Sequence, residues 1–335
     1  MKAWVVRAWG DPDSMALEEL DPGPTPAGLL RLKVEAAAVN FFDALMIAGT
    51  YQVKPEFPFT PGGEAAGTVL EAPEDSGLAP GDRVMAGMMA GAGQGGYASE
   101  SFAFPRLTRR IPDGMTFEDA AALNVVYQTA YFGLHRRGQL QPGETLLVHG
   151  AAGGTGTAAI QVGKAAGATV IATAGSDEKV ALCLELGADH AVNYKTQDFA
   201  EEVNRITERR GADVIFDPVG GDVFDRSTKC IAFEGRLVVV GFTSGRIPEA
   251  RANHLLVKNY AVVGLHWGAY EMRRPEVVEE TAQALFRLYE EGRIKPHISA
   301  TFPLSRAPEA LKAVASGRST GKVLIVPDPP GSAPD

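Results

Sequence analysis

The stretch LLVHGAAGGTG at 146–156 constrains the fold of this chain more than any other. Its apolar start reads as a strand, four glycines follow within seven positions, and 158–166 reads as a helix. Strand, glycine turn and helix make the opening of a dinucleotide-binding βαβ unit. The helix N-terminus offers unpaired N–H groups and the positive end of a dipole to a pyrophosphate, and glycine lets the ligand approach backbone. Gly153, Gly154 and Thr155 are the candidate contacts. The spacing departs from G-x-G-x-x-G: Ala151 stands at the first glycine's place, while Gly150, Gly153 and Gly156 keep a three-residue rhythm. Turns of this kind also occur with no ligand, so the glycines point to a dinucleotide without proving one.

The chain around this turn predicts an α/β protein with a doubly wound parallel sheet and a second, mainly antiparallel β domain. After the turn, strands at 168–172, 190–193, 212–216, 236–241 and 261–265 alternate with helices at 177–186, 198–209 and 222–230. Before it come short strands and turns: 2–7, 29–38, 65–71 and a strand opening at PGDRV. A short helix is expected to end at Ala48. A helix is expected from the capping signal TFED at 116–119, and a second one at 127–136. Past Leu265 a helix at 276–291, a strand at 301–304, a helix at 308–316 and a strand at 321–326 read as a return to the first domain. The expected division is 1–123 with 266–327, around a Rossmann domain at 124–265. The glycine- and methionine-rich 87–96 is expected to be a mobile surface loop, and 328–335 a disordered tail.

The 335 residues suffice for two domains. A net charge of −9 and a pI near 5.3 argue against nucleic acid or an anionic membrane as partner. No segment reaches the roughly 18 uncharged apolar residues of a membrane span. The opening MKAWVVRAWG has an arginine within its apolar run and no small-residue cleavage site, so it reads as a strand and not as a signal peptide. Cys183 and Cys230 cannot build a disulfide framework, which suggests reducing, cytoplasmic surroundings.

Other motifs are more specific than the glycines. VNFFD at 39–43, GTY at 49–51, PGGEAAG at 61–67, PGDRV at 80–84, AAALN at 120–124, QTAY at 128–131 and DPVGG at 217–221 accompany the glycine turn. Their order and spacing resemble the zinc-free quinone oxidoreductase branch of the medium-chain dehydrogenase/reductase superfamily, over almost the whole chain. The resemblance implies a GroES-like catalytic domain split around a Rossmann domain, NADPH as hydride donor, and a homodimer formed through an edge of the parallel sheet.

Zinc is the first question this raises. In the zinc-dependent relatives a Cys stands where this chain has Asn40, and Gly-His-Glu stands where it has Gly62-Gly63-Glu64; Val125 falls near the third ligand's place. Catalytic zinc wants three protein ligands, mostly Cys and His. Neither cysteine lies in this section, the four-cysteine structural lobe is absent, and His135, His149, His190, His254, His266 and His297 are scattered. The expectation is a metal-free protein. Without a Lewis acid a simple aldehyde is hard to reduce. Quinones and α,β-unsaturated carbonyls spread the incoming charge over a conjugated system and do not need one.

The second question is which dinucleotide. NAD sites usually carry Asp or Glu at the end of the second strand. Here 172–176 read ATAGS, with no acid to repel a 2′-phosphate. Gly175, Ser176 and Lys179 line that end, and the resemblance adds Tyr194 and Arg318, so NADPH is expected. Ser176 also reads as a helix cap and Lys179 as a solvated charge.

Further positions follow from the resemblance. Thr129 would lie near the nicotinamide ribose, or bond back to its own helix. Asn40 would hydrogen-bond ribose or substrate, or only turn a strand end. Val219, Phe242, Thr243 and Ser244 would meet the cofactor at the carboxyl edge of the sheet, and Leu265, His266 and Trp267 would lie beside the nicotinamide amide. Tyr51 has three readings: a proton donor, as in enoyl-thioester reductases; a pocket wall, as in quinone reductases; or a half-buried aromatic lid. A phenol pKa of about 10 makes proton donation depend on tuning. The methionines at 85–89 and the glycines at 91–96 would border the pocket. Three functions stay open: an NADPH:quinone oxidoreductase, a 2-enoyl reductase, and a non-catalytic NADPH-binding protein.

Overall fold

The structure, a computed structural model, describes residues 1–88, 90 and 94–330. It divides into two compact units: unit 1, Met1–Val125 with Pro296–Asp335, and unit 2, Val126–Lys295. Unit 1 opens with the antiparallel pair β1 (Lys2–Val5) and β2 (Ala16–Glu19). Then come β3 (Leu30–Val39), α1 (Phe41–Ile47), β4 (Glu64–Glu71), β5 (Arg83–Gly87), β6 (Glu100–Ala103) and β7 (Thr108–Arg110). The division between the units falls inside α2 (Phe117–Tyr131).

Unit 2 continues with β8 (Thr145–Val148), α3 (Gly154–Ala165), β9 (Thr169–Ala174), α4 (Asp177–Glu185), β10 (His190–Asn193) and α5 (Phe199–Ile206). Next are β11 (Ala212–Asp217), α6 (Gly221–Ser227), β12 (Ile231–Val239), α7 (Ala252–Lys258), β13 (Ala261–Gly264), α8 (Gly268–Arg273) and α9 (Pro275–Glu290). Unit 1 regains the chain with β14 (Ile298–Pro303), α10 (Ala307–Ala315) and β15 (Lys322–Val326).

Unit 2 is built on a six-stranded sheet in the order β10-β9-β8-β11-β12-β13, parallel throughout. Relative to β8 as first strand this is the 3-2-1-4-5-6 order of a Rossmann fold, and the order reverses between β8 and β11. All four residues of β8 are buried, which is why its apolar run does not alternate. Unit 1 holds a seven-stranded sheet, β14-β15-β3-β4-β5-β7, with β6 on β3; only the β14–β15 pair is parallel. β6 pairs the first half of β3 and β15 pairs its last residues. Leu30, Leu32 and Val34 of β3 alternate into a core with Trp4, Phe59 and Tyr97, and Trp4 Nε1 donates to Leu304 O at 2.6 Å. The α/β class and both sheet types are as expected from the sequence.

Several elements differ from the sequence reading. The two helices expected at 116–136 are one α-helix, continued by a π-helical turn at Phe132–Arg137. Val125 and Val126 are poor helix formers, but burial of Val126 and its neighbours overrides propensity. Thr116 caps that helix, accepting from Asp119 N–H at 3.0 Å. The sequence reading returned the chain to the first domain at 266, whereas here unit 1 resumes at Pro296. The rings of Trp267 and Tyr270 pack on Phe132, which ties α8 to unit 2. Gln161 then holds the Lys295 peptide from both sides, donating to its carbonyl at 2.9 Å and accepting from its N–H at 2.7 Å. In the stretch expected to be a mobile surface loop, Met88, Ala90, Gly95 and Gly96 are buried; Met89 and 91–93 lie outside the described residues. In the expected tail, Asp328 accepts from Ser305 N–H at 2.9 Å, and 331–335 lie outside the described residues.

Candidate functional site

In unit 2 the expected residues gather at the carboxyl ends of the parallel strands. Gly153 is the N-cap of α3, and Gly153, Gly154 and Thr155 are half-buried at a helix start whose first amides have no intrahelical partner. Gly156 is required by packing: a Cβ there would stand 2.3 Å from Gly150 O and 2.6 Å from Ala151 Cα. The turn after β8 lies against the turn after β11, since a Cβ on Gly150 would meet Val219 and Pro218 at 3.5 and 3.6 Å. Asp217 Oδ1 accepts from Val219 and Gly220 N–H at 2.8 and 2.9 Å. The turn after β12 joins them: Thr243 N–H donates to Pro218 O and Ser244 N–H to Val219 O. Phe242 lies over Gly220, which has no room for a Cβ beside its ring. Leu265 N–H continues the pairing of β13 to Val239 O; Leu265 and Trp267 are buried and His266 is exposed. Thr129 is buried in α2.

The end of β9 is a second corner of this site. Tyr194 N–H donates to Ala174 O, and its phenol lies over Gly175, where a Cβ would stand 2.5 Å from Oη. Ser176 caps α4, its Oγ accepting from Lys179 N–H at 3.3 Å. Of the two acids in the first turn of α4, Asp177 Oδ1 accepts from Asn193 Nδ2 at 2.7 Å, while the Glu178 carboxyl is bonded to the Ser176 side chain, which lowers its pKa. Gly175, Ser176, Lys179 and Tyr194 are thus one cluster. Arg318 belongs to unit 1, exposed beside an open cleft of about 400 Å³ with Ser299, Ser316 and Thr320.

In unit 1 a buried polar cluster surrounds Asn40, the N-cap of α1. Asp43 closes a capping box with it: Asp43 Oδ2 accepts from Asn40 N–H at 2.8 Å and from the Tyr97 hydroxyl at 2.7 Å. Asp43 Oδ1 accepts from Gly63 N–H at 3.1 Å. Burial pushes the Asp43 carboxyl up to about 6, against the pull of the Tyr97 and Asn40 donors and the charge of Lys322. Burial first, and then the charge of Asp43, holds Tyr97 well above the usual phenol value. Asn40 Nδ2 donates to Glu64 Oε1 at 2.8 Å, and Val125 N–H to Glu64 Oε2 at 2.6 Å. Lys322 Nζ donates to Val39 O, Asn40 Oδ1 and Glu64 Oε1 at 3.1, 2.8 and 2.9 Å. Tyr51 is half-buried and stacked on Phe42, ring centroids 5.6 Å apart. Burial, and then Asp43, raises its pKa, so it is a weaker acid than a free phenol.

Residues 154–284 match the zinc-binding dehydrogenase model and 26–109 the alcohol dehydrogenase GroES-like domain. A quinone oxidoreductase-like protein 2 from Bos taurus is 41% identical over 313 residues, 93% of this chain and 88% of that one. The chain belongs to the quinone oxidoreductase-like branch of the medium-chain dehydrogenase/reductase superfamily. Solved structures agree. A probable oxidoreductase from Mycobacterium abscessus superposes with a TM-score of 0.88 at 38% identity, over 98% of this chain and 99% of that one. The Escherichia coli quinone oxidoreductase complexed with NADPH gives 0.89 at 29% identity, over 98% and 100%.

Family membership makes this an oxidoreductase fold with a nicotinamide-dinucleotide site. Among the described residues no three His, Cys, Asp or Glu side chains converge so as to hold a metal ion. No helix among them is long and apolar enough to cross a membrane. Two members of the unit 1 cluster escaped the sequence reading. Lys322 was read only as part of a strand; a lone charge inside the otherwise apolar KVLIV was the available signal. Tyr97 follows the glycine run and carries no signal of its own.

Proposed function

We propose that this protein uses NADPH to reduce quinones or similar conjugated carbonyls without a metal ion. The observation that carries the cofactor is the end of β9, where Tyr194 and Ser176 flank Gly175 and Asp177 is turned to Asn193. A 2′-phosphate would meet hydroxyls and a helix N-terminus there, and would have to displace the Glu178 carboxylate from Ser176. Gly153, Gly154, Thr155 and Val219 would hold the diphosphate and adjoining ribose; Phe242, Thr243, Ser244, Leu265, His266, Trp267 and Thr129 would surround the nicotinamide half. Lys179 would add positive charge towards the phosphate. When bound, NADPH supplies a hydride.

The absence of metal chemistry rests on side chains that do not fit zinc. A Cβ on Gly63 would stand 2.5 Å from the Phe42 ring, so the position has no room for a ligand side chain. Asn40 and Glu64 are committed to the Lys322 ammonium. An acceptor that delocalises incoming charge suits such a site, and Asn40 and Tyr51 would contact it. The raised pKa of Tyr51 favours its role as a pocket wall over proton donation. A homodimer would form along β13, the one of the two edge strands of the parallel sheet that lies next to α7 in the chain, where Leu256 and Val257 are exposed. A cytoplasmic location accords with two buried thiols.

The test is NADPH oxidation with a quinone, an enone and an enoyl thioester, in wild type and Tyr51→Phe. Quinone turnover that survives both Tyr51→Phe and a chelator is the expected result. A loss in Tyr51→Phe confined to the enone and thioester would make the protein a 2-enoyl reductase. Tight NADPH binding with no turnover of any acceptor would make it a non-catalytic binder.

A further inference from the structure

Unit 2 buries one imidazole directly beneath the glycine turn. His149 follows β8 and precedes Gly150. Its N–H donates to Phe216 O of β11, and its ring meets Phe199 edge to face with centroids 4.8 Å apart. Nδ1 lies 2.9 Å from Thr173 Oγ1, and Nε2 lies 2.8 Å from Ser227 Oγ. The nitrogen that carries the hydrogen follows from what else each hydroxyl can reach. Ser227 Oγ is 2.7 Å from Val223 O, whereas Thr173 Oγ1 is 3.4 Å from Val148 O. Ser227 thus donates to Val223 O and accepts from Nε2–H, and Thr173 donates to Nδ1. Both ring nitrogens are committed within the protein.

The three elements joined by this ring each carry one part of the dinucleotide site. β8 runs into the glycine turn at 150–156. Thr173 lies in β9 two residues before Gly175, and its carbonyl accepts from Ala151 N–H at 3.0 Å. Ser227 ends α6, the helix that follows the turn at 217–220. Stability alone is a poor reason for a histidine here. A hydrogen bond contributes only about 1 kcal/mol net, and an apolar side chain against Phe199 could fill the space without burying polar nitrogens. A fully satisfied buried network supplies fixed directions, which apolar packing does not.

We propose that His149 is a positioning residue: through Thr173 and Ser227 it fixes the spacing between the glycine turn and the end of β9, and that spacing sets a preference for NADPH over NADH. A dinucleotide has a fixed covalent length. With its diphosphate on the glycine turn, a 2′-phosphate is met at Gly175 and Ser176 only if the end of β9 stands at the matching distance. NADH lacks that phosphate and tolerates a shift there. The proposal rests on the reading of the β9 end as the 2′-phosphate corner.

The test compares wild type with Thr173→Val, which keeps the side-chain shape and removes the hydroxyl, and Thr173→Ser, which keeps the hydroxyl. Kd for NADPH and for NADH is measured by fluorescence titration, and Tm by thermal unfolding. Thr173→Val should lower the ratio of NADH Kd to NADPH Kd about tenfold, while Thr173→Ser stays within about twofold of wild type. A ratio that is unchanged in Thr173→Val while Tm falls, or that is lost equally in Thr173→Ser, overturns the proposal and leaves the 2′-phosphate reading standing. A wild type that binds both dinucleotides equally refutes that reading and the proposal with it. If Thr173→Val does not unfold cooperatively, Ser227→Ala removes the other partner of the ring and is judged by the same ratio, with a tenfold fall expected and an unchanged value fatal.

Discussion

His149, at the end of β8, sets a pH limit on the stability of unit 2. Its ring is buried, with Nε2 2.8 Å from Ser227 Oγ and Nδ1 2.9 Å from Thr173 Oγ1. Ser227 gives its own hydrogen to Val223 O at 2.7 Å, so it accepts from Nε2–H, and in the neutral ring Nδ1 accepts from the Thr173 hydroxyl. Burial pushes the imidazole from 6.5 down to about 3. The unfolded chain therefore binds a proton between those values that the folded chain refuses. Stability is complete above 6.5 and is lost as pH falls towards 3. At 1.36 kcal/mol per pH unit the full loss is about 5 kcal/mol, and about 2 kcal/mol has gone by pH 5. Urea unfolding of wild type and His149→Gln from pH 7.5 to pH 4 isolates this contribution, because other titrating groups cancel in the difference. The variant should be the less stable at pH 7.5, through lost packing, and should close the gap by about 2 kcal/mol at pH 5. A difference that stays constant to within about 0.5 kcal/mol across the range would refute the argument.

Asp43 titrates with the opposite sign. Its folded pKa of about 6 lies above its ordinary 3.8, so unit 1 is steadier below 3.8 and loses about 3 kcal/mol as pH rises through 6. Asp43→Asn should abolish that slope in the same denaturation series. Gly156→Ala drives a methyl into backbone on the far side of the turn and should cost about 1–3 kcal/mol, with NADPH affinity falling at least about tenfold; thermal unfolding and fluorescence titration read both. Ser176→Ala removes the cap of α4 and should cost about 1 kcal/mol. If Ser176 also meets the 2′-phosphate, that variant weakens NADPH more than NADH in calorimetry; an equal effect leaves only the cap.

The parallel sheet was legible because its evidence is local. A fully buried strand runs apolar without alternation, a glycine turn follows, and helices return at regular intervals. Most residues proposed to meet the dinucleotide are local in the same way, lying in short turns at the carboxyl ends of strands, although Thr129 lies in α2 and Lys179 in α4. Affiliation between distant elements was not legible. The amphipathic pattern of α9 shows that it buries one face, not which unit receives it. Lys322 was missed because a charged residue in a strand ordinarily faces solvent. Only the carboxylate and carboxamide brought to it from 258 and 282 residues away make its burial possible. Asn40 itself had two readings, a turn residue or a ligand contact, and the structure shows the first directly as a helix cap.

The same separation dictates an order of assembly during synthesis. Unit 2 is one contiguous stretch and has all its strands once Lys295 has been made. Unit 1 at that moment has β3 and Glu64 but not β15, so one edge of its sheet is unpaired and a carboxylate bound for its interior has no counter-ion. Burying Glu64 then would carry the cost of an uncompensated charge. The inserted unit can therefore close before the unit that begins the chain, which is complete only once β14, α10 and β15 with Lys322 have been made.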